Sequence, residues 1–326
     1  MTGIEAIASY LPEGRVSNLE RLEEFGIGEE FLLGKIGVPS VIRRGADEET
    51  SDLCVRAFEA LRRRGDPGRI GALVVCTQNP DGSGLPHTSA IVHGKLGLPD
   101  EVAAFDISLG CSGYVYALSL ALAFLESNGL ERGLLFTADP YSKIIDPGDK
   151  NTALLFSDAA TVTLLGPRPR LRLRAARFAT RGSRHADLQR RDGGLYMNGR
   201  AIFNFTMTAV PTQVREILTA TGWTVNDVDQ FILHQGSRYL IDRLGQRLEV
   251  PPEKLPSNLA EVGNTVSSSV PLLLERYVEE AACRRILLCG FGVGLSWATA
   301  LLERVEAHPE EARRRDLAEY VRARHG

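Results

Sequence analysis

The sequence predicts an α/β protein whose sheets are covered on both faces by helices. Two observations carry this. Short, nearly continuous Val/Ile/Leu/Ala runs recur along the chain, and runs with helical periodicity separate them. A strand that is apolar on both faces must be buried on both, and helical crossovers are what cover parallel strands. The chain's 326 residues are enough for two ordinary domains or one large α/β unit.

In chain order, Ile70 to Thr77 (IGALVVCT) reads as the first buried strand, followed by Ala103 to Ser108, Leu134 to Ala138 and Thr161 to Leu165. Gln230 to Leu233 and Arg285 to Cys289 follow, and LSWATALLERV reads as a closing strand. Asp52 to Arg64 and Val210 to Thr221 carry helical periodicity. A polar, Arg-rich stretch (PRPRLRLRAAR) after Gly166 reads as a crossover between two halves, 1–166 and 167–304, each alternating strands and helices. The charged segment 305–326 has helical period and reads as an appended tail.

Composition excludes several classes. The hydrophobic fraction is 44% and the charged fraction 24%, which argues against disorder. The 38 basic and 41 acidic residues leave a net charge of −3, so no bulk attraction to nucleic acid or an anionic membrane surface is expected. The longest apolar run, Tyr114 to Leu125, is too short to span a bilayer. The first residues (MTGIEAIASYLPEG) lack the basic-then-apolar shape of a secretory signal. The five cysteines are sparse and irregularly spaced, with no CxxC pair. They read as reduced thiols of a cytoplasmic protein, and no structural metal is expected.

Four local patterns point to chemistry. In Asp106-Ile107-Ser108-Leu109-Gly110-Cys111-Ser112-Gly113 a strand runs into a glycine-flanked turn and then into a helix apolar nearly all round. Such a helix belongs in the middle of the molecule. Cys111 stands at its N-terminus, where unpaired N–H groups and the positive dipole end favour thiolate. In Phe231-Ile232-Leu233-His234-Gln235-Gly236 an apolar strand delivers a His at its carboxyl end, where α/β sites form. Val262-Gly263-Asn264-Thr265 stands at a loop-to-helix junction. Cys289-Gly290-Phe291-Gly292-Val293-Gly294 follows a strand and runs into another, which suits a turn that offers a backbone N–H to a ligand oxygen. Taken singly, each also reads as plain structure: a core cysteine, a hydrogen-bonded histidine, two turns.

Together and in this order, the four patterns resemble the β-ketoacyl-acyl-carrier-protein synthase III family of the thiolase superfamily, over residues 1 to about 304. KIGVPSVIRR near Lys35, YSKIIDPGDKNTALLFSDAATVTLL at Tyr141 to Leu165, and FNFTMTAVP at Phe203 to Pro211 extend the match. The resemblance implies a thiolase fold: two similar βαβαβαββ halves in a five-layer α-β-α-β-α sandwich, assembled as a homodimer. It implies a Cys111, His234, Asn264 catalytic set, with the backbone N–H groups of Cys111 and Val293 as an oxyanion hole. It implies substrate or coenzyme A contacts at Phe31, Lys35, Leu85, Phe203 and Ser237. The implied substrates are acyl-CoA and malonyl-acyl-carrier protein, with no metal or other cofactor.

The chain departs from the family at several of these positions. Lys35 stands where Arg is common, Phe31 where Trp is common and Leu85 where Phe is frequent. Gly236-Ser237-Arg238-Tyr239 replaces Ala-Asn-Leu-Arg, and Val293 stands where Gly is often found. Three rival readings remain at this level: a thiolase using Cys289 as a second cysteine, an acyltransferase that passes the acyl group to an alcohol or amine, and a silent subunit of a heterodimeric synthase.

Overall fold

The computed structural model describes residues 2–191 and 194–306. The expected tail from 307 onward lies outside the described residues.

Nine strands form the main hydrogen-bonded framework. They are β1 (Gly3–Tyr10), β2 (Ala72–Cys76), β3 (Ala103–Ile107), β4 (Gly133–Ala138), β5 (Ala160–Gly166), β6 (Leu171–Thr180), β7 (Gln230–Leu233), β8 (Arg285–Gly292) and β9 (Ser296–Arg304). The first five lie in the order β3-β2-β4-β5-β1 and the last four in the order β7-β8-β9-β6. In each group the strand leading into a helical crossover pairs parallel (β2 with β3 and β4; β7 with β8), and a hairpin-like antiparallel partner closes the group (β4 with β5; β8 with β9). The groups meet edge to edge through one antiparallel pair, Ile4 with Leu171.

The Arg-rich stretch after Gly166, expected as a polar crossover, is largely strand β6. Its Leu-Arg-Leu-Arg alternation has the two-residue period that places Leu171 in the core and Arg174 in solvent. The crossover itself is confined to the residues between Gly166 and Leu171. Helix α4, defined below, begins well before Val210 and continues through Pro211, which is buried. Burial of Val210, Val214, Ile217 and Leu218 outweighs the lost backbone bond.

Six helices complete the layers: α1 (Thr50–Arg62), α2 (Thr88–Leu96), α3 (Gly113–Ser127), α4 (Gly199–Thr221), α5 (Arg238–Leu248) and α6 (Ser269–Val278). Residues of α1 and α2 pack with the outward residues of the first group, including Leu73, Val75, Leu134 and Phe136. Residues of α4 and α5 pack with Phe231, Leu233, Leu287 and Cys289 of the second. Between the two groups lie α3 and α6. Leu118, Leu122 and Leu273 share one buried cluster with Val74 and Leu135 from one side and Ile286, Leu288 and Ala300 from the other. This is the five-layer thiolase arrangement, and it explains why α3 lacks a polar face: it has no solvent side.

Leu118 touches this central layer and has 0% exposure. Leu118→Ala should lower the unfolding free energy by about 2–5 kcal/mol, read as a lower urea midpoint with an unchanged slope.

Candidate active site

The carboxyl ends of β2, β3, β4 and β7 point the same way as the start of α3, and they collect the polar residues that matter. Cys111 follows β3 and is 5% exposed. No side chain caps α3; the Gly113 N–H closes the turn onto the Gly110 carbonyl at 2.7 Å. The backbone N–H groups of Val293 and of Cys111 itself bond to the Cys111 sulfur. The last glycine turn is pressed against this residue. A Cβ on Gly292 would lie 2.8 Å from both Cβ and Sγ of Cys111, and one on Gly290 would lie 2.6 Å from the Cys111 carbonyl oxygen. Only glycine permits that approach. Ser112 Oγ and Ser296 Oγ, 2.6 Å apart, tie the same turn to the start of β9.

His234 follows β7, and its N–H extends the parallel pairing onto the Cys289 carbonyl at 2.8 Å. Its ring is buried, stands edge-on to Phe291, and places Nδ1 2.6 Å from Ser269 Oγ. Asn264 is 2% exposed. Its backbone is pinned between Leu155 and Ser157, and its Oδ1 accepts the Val266 N–H at 2.9 Å. That leaves the Asn264 Nδ2 group as the end with donors to offer. Val266 makes this possible from a left-handed backbone (φ 53°), a costly conformation for a β-branched residue. The turn lies directly under the nucleophile: a Cβ on Gly113 would sit 3.9 Å from Ser267 Cβ.

Electrostatics differ from the expectation of a thiolate favoured by the helix N-terminus. Burial pushes the Cys111 thiol up to about 12 and the Asp139 charge adds to this; the Val293 and Cys111 N–H groups pull the other way. Desolvation outweighs the donors while no substrate is present. Burial likewise depresses His234 to about 3, against a smaller opposing effect of the Val266 backbone, so the ring is neutral at working pH. Asp139, at the end of β4, is fully buried. Burial raises its carboxyl to about 6, while bonds from Ser267, the Gln78 N–H and Thr77 lower it. Sequence reasoning missed Asp139, Val266 and Ser269. The signals available were an acid ending an apolar strand (LLFTAD) and the Ser run after Asn264.

Family models match the chain as 3-oxoacyl-(acyl-carrier-protein) synthase III over residues 105–182 and as its C-terminal part over residues 218–304. Beta-ketoacyl-(acyl-carrier-protein) synthase III of Lactococcus lactis subsp. cremoris is 32% identical, over 92% of this chain and 98% of that protein. The Streptococcus suis enzyme of the same name is 34% identical at the same coverage. The chain belongs to the 3-oxoacyl-acyl-carrier-protein synthase III family. It is a condensing enzyme of the acyltransferase class. The crystal structure of the Thermus thermophilus synthase III superposes with a TM-score of 0.86 at 31% identity, covering 94% of this chain and 100% of that one. A priming beta-ketosynthase from a polyketide biosynthetic pathway superposes with a TM-score of 0.84 at 29% identity, covering 94% and 97%.

Around the entrance expected for a synthase III, the structure gathers some of the predicted contacts. Lys35 Nζ lies 3.9 Å over the Tyr239 ring, and Phe203 stacks on the same ring at 5.4 Å. Ser237 caps α5, accepting the Leu240 N–H at 3.4 Å. Phe31 is half-exposed one turn before Lys35. Leu85 is not brought to the site within the chain; it is 93% exposed on the loop before α2. Cys289 is fully buried, accepts a bond from Thr299, and packs toward α4, away from Cys111. A second reactive cysteine of thiolase type is therefore not formed here. Among the described residues no cluster of three His, Cys, Asp or Glu side chains has metal-ligand geometry, and no helix is long and apolar enough to cross a membrane.

Asp139 contributes a buried negative charge that opposes Cys111 ionisation. Asp139→Asn keeps an acceptor for the Gln78 N–H and removes that charge. The midpoint of the pH profile for iodoacetamide alkylation of Cys111 should move to lower pH, read by intact mass.

Proposed function

We propose that the chain condenses an acyl starter, delivered as acyl-CoA, with malonyl-acyl-carrier protein to give a 3-oxoacyl-acyl-carrier protein, in fatty-acid or specialised biosynthesis. The observation that carries this is the pair of donor sets facing one buried cysteine. The Val293 and Cys111 N–H groups bond to Cys111 Sγ, and the turn that orients Asn264 also contacts His234 through Ser269.

In the first half-reaction the Cys111 sulfur attacks the thioester carbonyl, coenzyme A leaves as its thiol with the cysteine's proton, and the two N–H groups hold the carbonyl oxygen while it is anionic. The high thiol pKa means that proton loss accompanies attack. In the second, His234 and Asn264 Nδ2 donate to the malonyl thioester oxygen. The malonyl carbon–carboxylate bond breaks, carbon dioxide leaves, and the electron pair forms an enolate. That carbon then attacks the acyl-Cys111 carbonyl, and the carbon–sulfur bond to Cys111 breaks. Neutral His234 suits this work, because a neutral donor gains most when charge develops in a dry site. No metal or further cofactor enters these steps.

We further read Lys35, Phe203, Ser237 and Phe31 as lining the route for coenzyme A and the carrier protein. Leu85 is read as a residue lent to the acyl pocket of a second copy. The exposure of Leu85 and the half-buried residues of β3, at the sheet edge, support a homodimer. We divide the chain into a nucleophile half (1–166), a His-Asn half (167–304) and a tail (305–326), and place the enzyme in the cytoplasm, acting on neither nucleic acid nor membrane.

Asn264→Ala should leave acylation of Cys111 by an accepted acyl-CoA nearly normal in intact-mass assays. It should lower carbon dioxide release from malonyl-acyl-carrier protein by about a hundred- to a thousandfold. Wild-type protein that never releases carbon dioxide but passes its acyl group to an alcohol or amine would establish the acyltransferase reading instead. For the pocket, Leu85→Phe should shorten the preferred acyl chain across an acyl-CoA panel, since the larger ring takes space from the partner's pocket.

A further inference from the structure

A neutral imidazole carries one N–H, and the other nitrogen is a lone pair. Which nitrogen of His234 holds the proton therefore decides whether the ring can donate to a substrate oxygen. Nδ1 is committed to Ser269 Oγ at 2.6 Å, and the same Oγ lies 2.9 Å from the Val266 carbonyl oxygen. The hydroxyl has a single proton. If it goes to Val266, Nδ1–H must donate to Oγ, and Nε2 is a bare lone pair that repels a developing enolate. If it goes to Nδ1, Nε2 carries the N–H.

Two features of the turn favour the second arrangement. The Val266 carbonyl already accepts the Ser269 backbone N–H, so it does not need the hydroxyl. The ring is buried, and Ser269 Oγ is the only described side-chain donor to Nδ1, which would otherwise be left unpaired. The Val266 carbonyl also faces the ring, and by itself it draws the proton onto Nδ1. Removing the hydroxyl therefore reverses the preference instead of merely loosening it.

We propose that Ser269 is a positioning residue that holds His234 in the Nε2–H tautomer. Val266, in its left-handed backbone, then serves both donors: its N–H takes Asn264 Oδ1 and turns the Asn264 amide donors outward, and its carbonyl steadies the serine that supplies His234. The inference rests on the condensation reading only for its consequence; the tautomer is observable without any reaction.

The test uses the full chain labelled with ¹⁵N-histidine, with the His234 signals assigned by comparison with His234→Gln. Long-range ¹H–¹⁵N spectra should show Nε2 protonated in the wild type. In Ser269→Ala the proton should move to Nδ1, with decarboxylation of malonyl-acyl-carrier protein falling about a hundredfold and Cys111 acylation retained. Ser269→Thr keeps the hydroxyl and should restore both the tautomer and decarboxylation. A wild-type ring protonated at Nδ1, or a tautomer unchanged in Ser269→Ala, overturns the proposal. A tautomer that shifts as stated in a protein that never decarboxylates malonyl thioesters upholds the role of Ser269 and sinks the condensation reading instead.

Discussion

The contact on which the site depends is the approach of the Gly290–Val293 turn to the residue that begins the central helix. A Cβ at Gly290 or Gly292 would meet Cys111 well inside van der Waals distance. Because those glycines have none, the second group of strands can lay a backbone N–H directly on the sulfur supplied by the first. The five layers serve this contact. The helix carrying Cys111 is clamped between two sheets, and its apolar circumference fixes it there. A nucleophile from one half and its donor from the other are thereby held to a fixed geometry, the condition for stabilising an oxyanion without reorganisation.

Burial that fixes the geometry also sets the electrostatics, and it does so against simple expectation. A cysteine at a helix N-terminus with two N–H donors might be read as a ready thiolate, yet desolvation and the Asp139 charge hold it protonated. The same desolvation keeps His234 neutral. The resting site is thus uncharged at both its nucleophile and its imidazole, with donors already aimed. Charge arises only as bonds change, where each donor contributes most. The strained backbone of Val266 belongs to this preorganisation. Its left-handed φ is a local cost met by the surrounding burial and spent on orienting Asn264 and the serine beside His234.

Much of this was legible in the chain. Apolar strand runs located most of the main strands to within a residue or two, and the all-apolar helix after Cys111 announced a central layer. Cys111, His234 and Asn264 each stood at a strand end or a glycine turn. The misreadings have physical causes. The stretch PRPRLRLRAAR looked like a crossover because four arginines masked a two-residue alternation in which only the leucines face the core. Helix α4 looked shorter because a proline is a local breaker, and the packing of its buried face is not local.

The sequence by itself determined the fold class and the three side chains that carry the chemistry, because periodicity, glycine placement and strand-end position are properties of neighbouring residues. Only the tertiary structure decided what surrounds those side chains. That Cys289 faces an outer helix, that Asp139 charges the floor behind Cys111, and that Ser269 meets His234 across 35 residues of chain follow from contacts between distant segments. Burial and mutual distance, which set ionisation and proton position, are not written in any local pattern.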